Sequence, residues 1–252
     1  MKPENNDKIA QEYETNEGYR KRARNNLFPL PLLNHIVESI PQYGKFLDAG
    51  CGVGSFLKQL IRAARNKGRS DIKFFAIDYA QAMADEARRE NPEATIFQDD
   101  LKNLSSEVKT HTFDYVNSTD VLFFFNPELG ERDKAFASLR SVTKKDGLLR
   151  IAVREQRFDK EPSPRFSDFS ENDLRTTMQK FGFAIESSRI GNKKNYGPAT
   201  QDNLDRFYDS LVIVGRNIEQ TPSPRLADIV SERRAEALKN EQRGRGGSLK
   251  IT

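Results

Sequence analysis

The sequence predicts an α/β protein: a doubly wound, mostly parallel sheet of seven strands, with the final strand antiparallel. Three observations carry this. Short apolar runs of strand type alternate with helical patterns from residue 45 onward, which is the signature of βαβ units. A glycine-rich stretch, FLDAGCGVGSF, sits between the first strand and the helix after it. The last two strands follow one another with no helical pattern between them, so they form a hairpin that reverses the chain.

The elements are read in order. Residues 5–25 are polar, with Ile9, Tyr13 and Tyr19 loosely spaced, and suit a surface helix or two. Pro29 and Pro31 introduce a helix reaching about Ile40, with Leu32, Leu33, Ile36, Val37 and Ile40 on one face. Strand one is Lys45 to Asp48, followed by a helix from Gly54 to about Asn66. Strand two is the buried-type run IKFFAI at 72–77. A helix over 80–90 stops at Asn91-Pro92. Strands three and four are 94–97 and 113–117. A helix over 131–144 leads to strand five, GLLRIAV, at 147–153. Ser170 with Asp173 three residues on resembles a capping box and opens a helix that ends at Phe181-Gly182. Strands six and seven are 183–190 and 209–214.

Composition bounds the setting. A chain of 252 residues holds one sizeable α/β domain plus tails. The expected division is an N-terminal helical lid at 1–28, the α/β domain at 29–217, and a charged extension at 218–252 that ends in the flexible-type RGRGGS. A net charge of +4 is too weak alone to indicate nucleic acid as the partner. One cysteine, Cys51, excludes an internal disulfide framework, and with only two histidines no metal centre is expected. The start of the chain has no apolar leader and no run approaches membrane-spanning length, so a cytoplasmic setting is the expectation.

The loop at 48–54 carries the chemistry. Glycines at 50, 52 and 54 permit a tight turn and let a ligand approach the backbone. Taken alone, such a loop before a helix N-terminus favours an anion. It departs from the dinucleotide pattern Gly-x-Gly-x-x-Gly, because its third glycine comes one residue early and an acidic residue precedes it by two positions. Asp78 closes strand two, where these folds read ribose hydroxyls, and a carboxylate there would repel a 2′-phosphate. Asp99 and Asp100 follow strand three.

With these residues in place, the stretch from about Phe46 to Val214 resembles the seven-stranded class I S-adenosylmethionine-dependent methyltransferases. LDAGCGVG is similar to the family's motif I, AIDYAQAM to its acidic second motif, FQDDLKNL to its Asp-x-x-x-Leu element, and FDYVNSTDVL to motif IV. LRSVTKKDGLLRIAV is similar to the entry into strand five, and FSENDLRTTMQKFGF to the late helix ending in Gly-Phe. The resemblance implies S-adenosylmethionine as cofactor. Asp48, Ala49, Gly50 and Gly52 would then meet its amino acid part, with Asp48 orienting the loop. Asp78 would hold the ribose, and Tyr79 and Met83 would line the adenine. Asp100, with Asp99 as the alternative, would take the adenine amino group, and the Leu101 N–H the ring. Asn117 and Ser118 would offer carbonyls near the cofactor ammonium. Tyr13 resembles a lid tyrosine that covers the methionyl part.

The acceptor is less legible. Many small-molecule members carry histidines after motif IV, whereas here that place reads Val121-Leu122-Phe123-Phe124-Phe125. Motif IV also lacks the Asn/Asp-Pro-Pro-aromatic pattern of enzymes that methylate exocyclic base amines. Glu155, after strand five, and Tyr13 are the acceptor-side candidates. The leading reading is an enzyme that methylates an O or N atom of a small molecule. The alternatives are action on protein or RNA, with the basic cluster at 20–24 and the RGRGG tail as docking elements, and a non-catalytic scaffold of the same fold.

Overall fold

The computed structural model describes residues 11, 15–125, 130–154, 170–190 and 210–218. Its helices are α1 (Glu17–Arg24), α2 (Leu30–Ser39), α3 (Ser55–Asn66), α4 (Gln81–Glu90), α5 (Ser106–Lys109), α6 (Glu131–Val142) and α7 (Glu171–Lys180). Its strands are β1 (Lys45–Ala49), β2 (Lys73–Asp78), β3 (Thr95–Gln98), β4 (Phe113–Thr119), β5 (Thr143–Arg154), β6 (Phe183–Ile190) and β7 (Ser210–Asn217).

All seven strands join one sheet in the order β3-β2-β1-β4-β5-β7-β6. The pairs β1–β2, β2–β3, β1–β4 and β4–β5 are parallel, and β7 runs antiparallel to both β5 and β6. This is the class I methyltransferase architecture, with the final strand reversed as expected from the lack of a helical sequence pattern before it.

Strand residues alternate between two apolar layers, as the period of two requires. Phe46, Tyr115 and Leu148 face α2, α3 and α4, where they meet Ile36, Val37, Leu57, Leu60 and Ala84. Leu47, Val116 and Leu149 face the opposite layer, with Phe136 and Leu139 of α6 and Leu174 and Met178 of α7. Leu33, Ile36, Val37 and Ile40 are buried, so the expected face of α2 is the packed one. His35 is exposed on the opposite side of α2. His111, by contrast, lies among rings, with its centroid 5.0 Å from that of Phe75.

Boundaries moved where tertiary pairing overrode local pattern. α6 stops at Val142 and β5 starts at Thr143, before the glycine expected to open the strand. The register of β4 against β5 shifts between Phe113 and Tyr115, and this irregularity absorbs the extra residues. The capping box is present: Ser170 Oγ accepts the Asp173 N–H, and the Asp173 carboxylate accepts the Ser170 N–H. Among the described residues no helix is long and apolar enough to cross a membrane. The C-terminal extension past Ile218 and the segment before Gln11 lie outside the described residues.

Candidate functional site

The strand order fixes where a ligand binds. β1 hands the chain towards β2 on one side, while β4 hands it towards β5 on the other, so the carboxyl ends of β1 and β4 flank a topological switch point. The β1–β4 ladder ends at Asp48–Asn117, but β4–β5 continues to Thr119–Ala152. A crevice therefore opens between β1 and β4 just beyond Asn117.

The glycine loop crosses this crevice. Gly50 has φ +83° and Gly52 φ +54°, backbone that side chains rarely adopt. The N–H groups of Gly50 and Cys51 both donate to the Ile77 carbonyl, at 2.8 and 3.0 Å. The Gly52 N–H donates to Asp78 Oδ2 at 2.7 Å. These three donors are thus spent inside the protein, one of them on a carboxylate. The loop is not the anion nest of a phosphate-binding turn, and its nearest fixed charge is negative. That arrangement suits hydroxyls and a cation. A Cβ added at Gly52 would meet nothing within 4 Å, so the backbone there is open to a ligand.

Asp78 ends β2 and is partly buried. Its Oδ1 accepts the Ala80 N–H at 3.0 Å, so the carboxylate clamps both the glycine loop and the start of α4. Burial pushes its pKa up to about 6, against the lowering by its backbone donors. The loop-orienting role expected of Asp48 thus falls to Asp78. Asp48 is instead buried (3% exposed), and its Oδ1 accepts the Asn117 Nδ2 at 2.8 Å. Burial raises its pKa to about 7, opposed by the Asn117 hydrogen bond and the positive charge of Arg150.

The pair after β3 is now differentiated. Asp99 is consumed by its own loop: Oδ1 accepts the Asp100 N–H at 2.8 Å, and Oδ2 accepts the Ser105 N–H and hydroxyl at 3.0 and 2.7 Å. Asp100 Oδ1 accepts the Lys102 N–H at 2.9 Å, and the side chain remains about a third exposed. Leu101 is buried. Met83 packs with Val53 and Ala80, whereas Tyr79 is 40% exposed beside them. Asn117 and Ser118 are fully enclosed, and the Ser118 hydroxyl has no hydrogen-bond partner among the described residues.

Helix α1 lies over this side of the site. Ala23 packs on the Val53, Ala80 and Met83 cluster, and Arg24 forms an ion pair with Glu86, whose side chain is buried on α4. Val121 follows β4 and presses on Gly50, Leu122 and Phe125 are buried, and Phe124 is partly exposed. Tyr13 and Glu155 lie outside the described residues.

Three partners were missed by sequence reasoning. Glu86 and Ser105 gave no local signal. Arg150 did give one: it is the charged residue in the otherwise apolar run GLLRIAV.

A Rossmann-like sheet with a carboxylate at the end of β2, a glycine loop whose donors are internally spent, and a second, part-exposed carboxylate after β3 suits an adenosyl group with a cationic tail. Residues 46–147 match a family model described as "Methyltransferase domain". Over these residues the chain therefore carries a domain of the S-adenosylmethionine-dependent methyltransferase type. Among solved structures it is similar to magnesium protoporphyrin IX methyltransferase from Synechocystis PCC 6803 with bound S-adenosylmethionine, at 19% identity and TM-score 0.58, over 83% of this chain and 95% of that one. It is also similar to a TehB-like methyltransferase from Corynebacterium glutamicum, at 21% identity and TM-score 0.55, over 83% and 98%. A complex of the Haloferax volcanii Trm112 activator with a methyltransferase aligns at 15% identity and TM-score 0.59, over 84% and 98%. Likeness at these identities speaks for the fold. No curated protein matches the chain.

The residues present fit the family's cofactor. The open backbone at Gly52 and the carboxylates of Asp78, Asp100 and Asp48 lie at successive strand ends, in the order a linear adenosyl, ribose and amino acid ligand requires.

Proposed function

We propose that the enzyme transfers a methyl group to an O or N atom of a small-molecule acceptor. The carrying observation is the cover on the site: α1 is held over the glycine loop by Ala23 packing and by the ion pair of Arg24 with buried Glu86. A lid fixed this close to the cofactor loop leaves room for a compact acceptor. Arg20 and Arg24, two cations of the basic cluster that would dock a macromolecule, pair with Glu17 at 2.7 and 2.8 Å.

The bound cofactor supplies a methyl group already activated on a sulfonium. The protein's task is therefore position. Asp78 holds the ribose hydroxyls while keeping the Gly52 turn closed. Asp100 receives the adenine amino group, since Asp99 is committed to Ser105. Met83 and Tyr79 flank the adenine, and Asp48, Ala49 and the Gly50 backbone meet the amino acid end, with Asn117 and Ser118 across the crevice. Val121 and Phe124, at the carboxyl end of β4, form the apolar start of the acceptor wall. A phenol, carboxylate or neutral amine needs little proton transfer, which agrees with an acceptor wall that begins without histidine. Tyr13 and Glu155 are proposed at the edges of that cavity.

The test is methyl transfer from radiolabelled S-adenosylmethionine into fractionated cell extract. Label in the small-molecule fraction, lost with Asp78→Ala, supports the reading. Label confined to protein or RNA refutes it.

A further inference from the structure

A polar row crosses the interior of the sheet just below the carboxyl ends of β1 and β4. Asp48 of β1, Asn117 of β4 and Arg150 of β5 are direct register partners, so their side chains share one face. Arg150 is buried (6% exposed), although it sits between Leu149 and Ile151 in an apolar strand. Its Nη1 donates to Asn117 Oδ1 at 2.7 Å and to Thr119 Oγ1 at 3.0 Å. Asn117 Nδ2 donates in turn to Asp48 Oδ1 at 2.8 Å.

The chemistry of the three groups imposes a direction on this chain. A guanidinium only donates. The Asn117 amide must therefore turn its oxygen to Arg150 and its NH2 to Asp48. With Arg150 absent, only the Asp48 carboxylate and the Thr119 hydroxyl, 3.4 Å from Asn117 Oδ1, hold the amide this way round, and a flipped amide sets an acceptor against the carboxylate. Burying a charged group in a strand costs stability unless it is well paired. Arg150 places a positive charge two strands away from the Asp48 carboxylate.

We propose that Arg150 is a positioning residue which, through Asn117, orients Asp48 towards the cationic amino acid end of the cofactor. The inference rests on the S-adenosylmethionine reading. Asp100 stands at the end of β3 and Asp78 at the end of β2, so the adenosine occupies those two strands and the amino acid end falls over β1 and β4. The charged and titratable groups that act on Asp48 are Arg150 on β5 and Asp78 on β2, and Asp48 in turn acts on the Cys51 thiol of the loop. Arg150 is the cation among them. It favours the ionised carboxylate, which desolvation and Asp78 both oppose.

The experiment compares two probes by calorimetry from pH 6 to 8.5: S-adenosylhomocysteine, which has the amino acid end, and 5′-methylthioadenosine, which lacks it. Arg150→Met weakens the first by roughly tenfold at pH 7.5, the scale of one hydrogen bond to a charged group. It leaves the second within about twofold, because adenosine recognition does not use the row. The pH at which S-adenosylhomocysteine affinity rises moves upward in the variant, and Arg150→Lys, which keeps the charge, restores part of both effects. Equal losses for the two probes would mean a merely structural arginine and overturn the inference, as would an unmoved pH profile. If Arg150→Met does not fold, Arg150→Lys carries the comparison. In the wild type, the Asn117 side-chain amide resonance must follow the same pH inflection, and an amide insensitive to pH refutes the relay. A wild-type chain that binds neither probe refutes the cofactor reading, and this inference with it.

Discussion

Replacing Gly50 by alanine tests the close approach on which the site is built. Gly50 has φ +83°, and a Cβ there would lie 2.2 Å from Val121 Cγ2, 3.1 Å from its Cγ1 and 3.2 Å from its Cβ. The whole head of Val121 is in the way, so rotating one methyl aside cannot relieve the contact. Left-handed backbone costs an alanine about 1–2 kcal/mol, and forcing a methyl into a packed contact costs about 1–3 kcal/mol. The expected loss is about 2–5 kcal/mol, a large part of the roughly 5–15 kcal/mol that holds a domain folded. Urea unfolding followed by circular dichroism measures it, with tyrosine emission as a second probe because the chain has no tryptophan. Adding Val121→Ala to Gly50→Ala returns the packing part, about 1–3 kcal/mol, and leaves the backbone part. A loss below about 1 kcal/mol for Gly50→Ala, or no coupling between the two changes, would refute the close packing of motif I on the residue after β4.

Three further outcomes are expected. Asp78→Ala lowers cofactor affinity by about 1–3 kcal/mol in a folded protein, the scale of lost hydrogen bonds to a charged group, and unchanged calorimetric affinity would contradict the ribose assignment. Asp99→Ala lowers the melting temperature through its loop bonds to Ser105 and Asp100 while Asp100→Ala mainly weakens adenosine binding; the reverse pattern would exchange their roles. Burial holds Asp48 at about 7 and Asp78 at about 6, above the ordinary 3.8, so the folded chain binds these protons more tightly than the unfolded one. The stability they contribute is fully present below about pH 4 and is lost as pH rises towards 7, with a slope of about 1.4 kcal/mol per pH unit for each group between its two values. Affinity for a cationic cofactor runs the opposite way and rises as they ionise. Denaturation at pH 5 and 7.5 should show Asp48→Asn losing less stability than wild type over that interval; an equal loss would remove Asp48 from the account.

The sequence by itself determined the framework. Strand–helix alternation, the missing helix before the final strand and the spacing of Asp48, Gly50, Gly52 and Asp78 are local features, and local periodicity and turn chemistry are written in neighbouring residues. They yielded the seven-stranded sheet, the reversed last strand and the cofactor class. Other decisions needed partners far apart in the chain. Asp99 and Asp100 look equivalent in FQDDL, and the Ser105 contact separates them. Asp48 was read as the orienter of the loop, but the Gly52 N–H is taken by Asp78, twenty-six residues away. Arg150 was visible only as an oddity in an apolar strand. Its meaning depends on the register that sets it beside Asn117 and, through it, Asp48. A polar group's role is fixed by which partner satisfies it once water is gone, and only the tertiary structure supplies that partner.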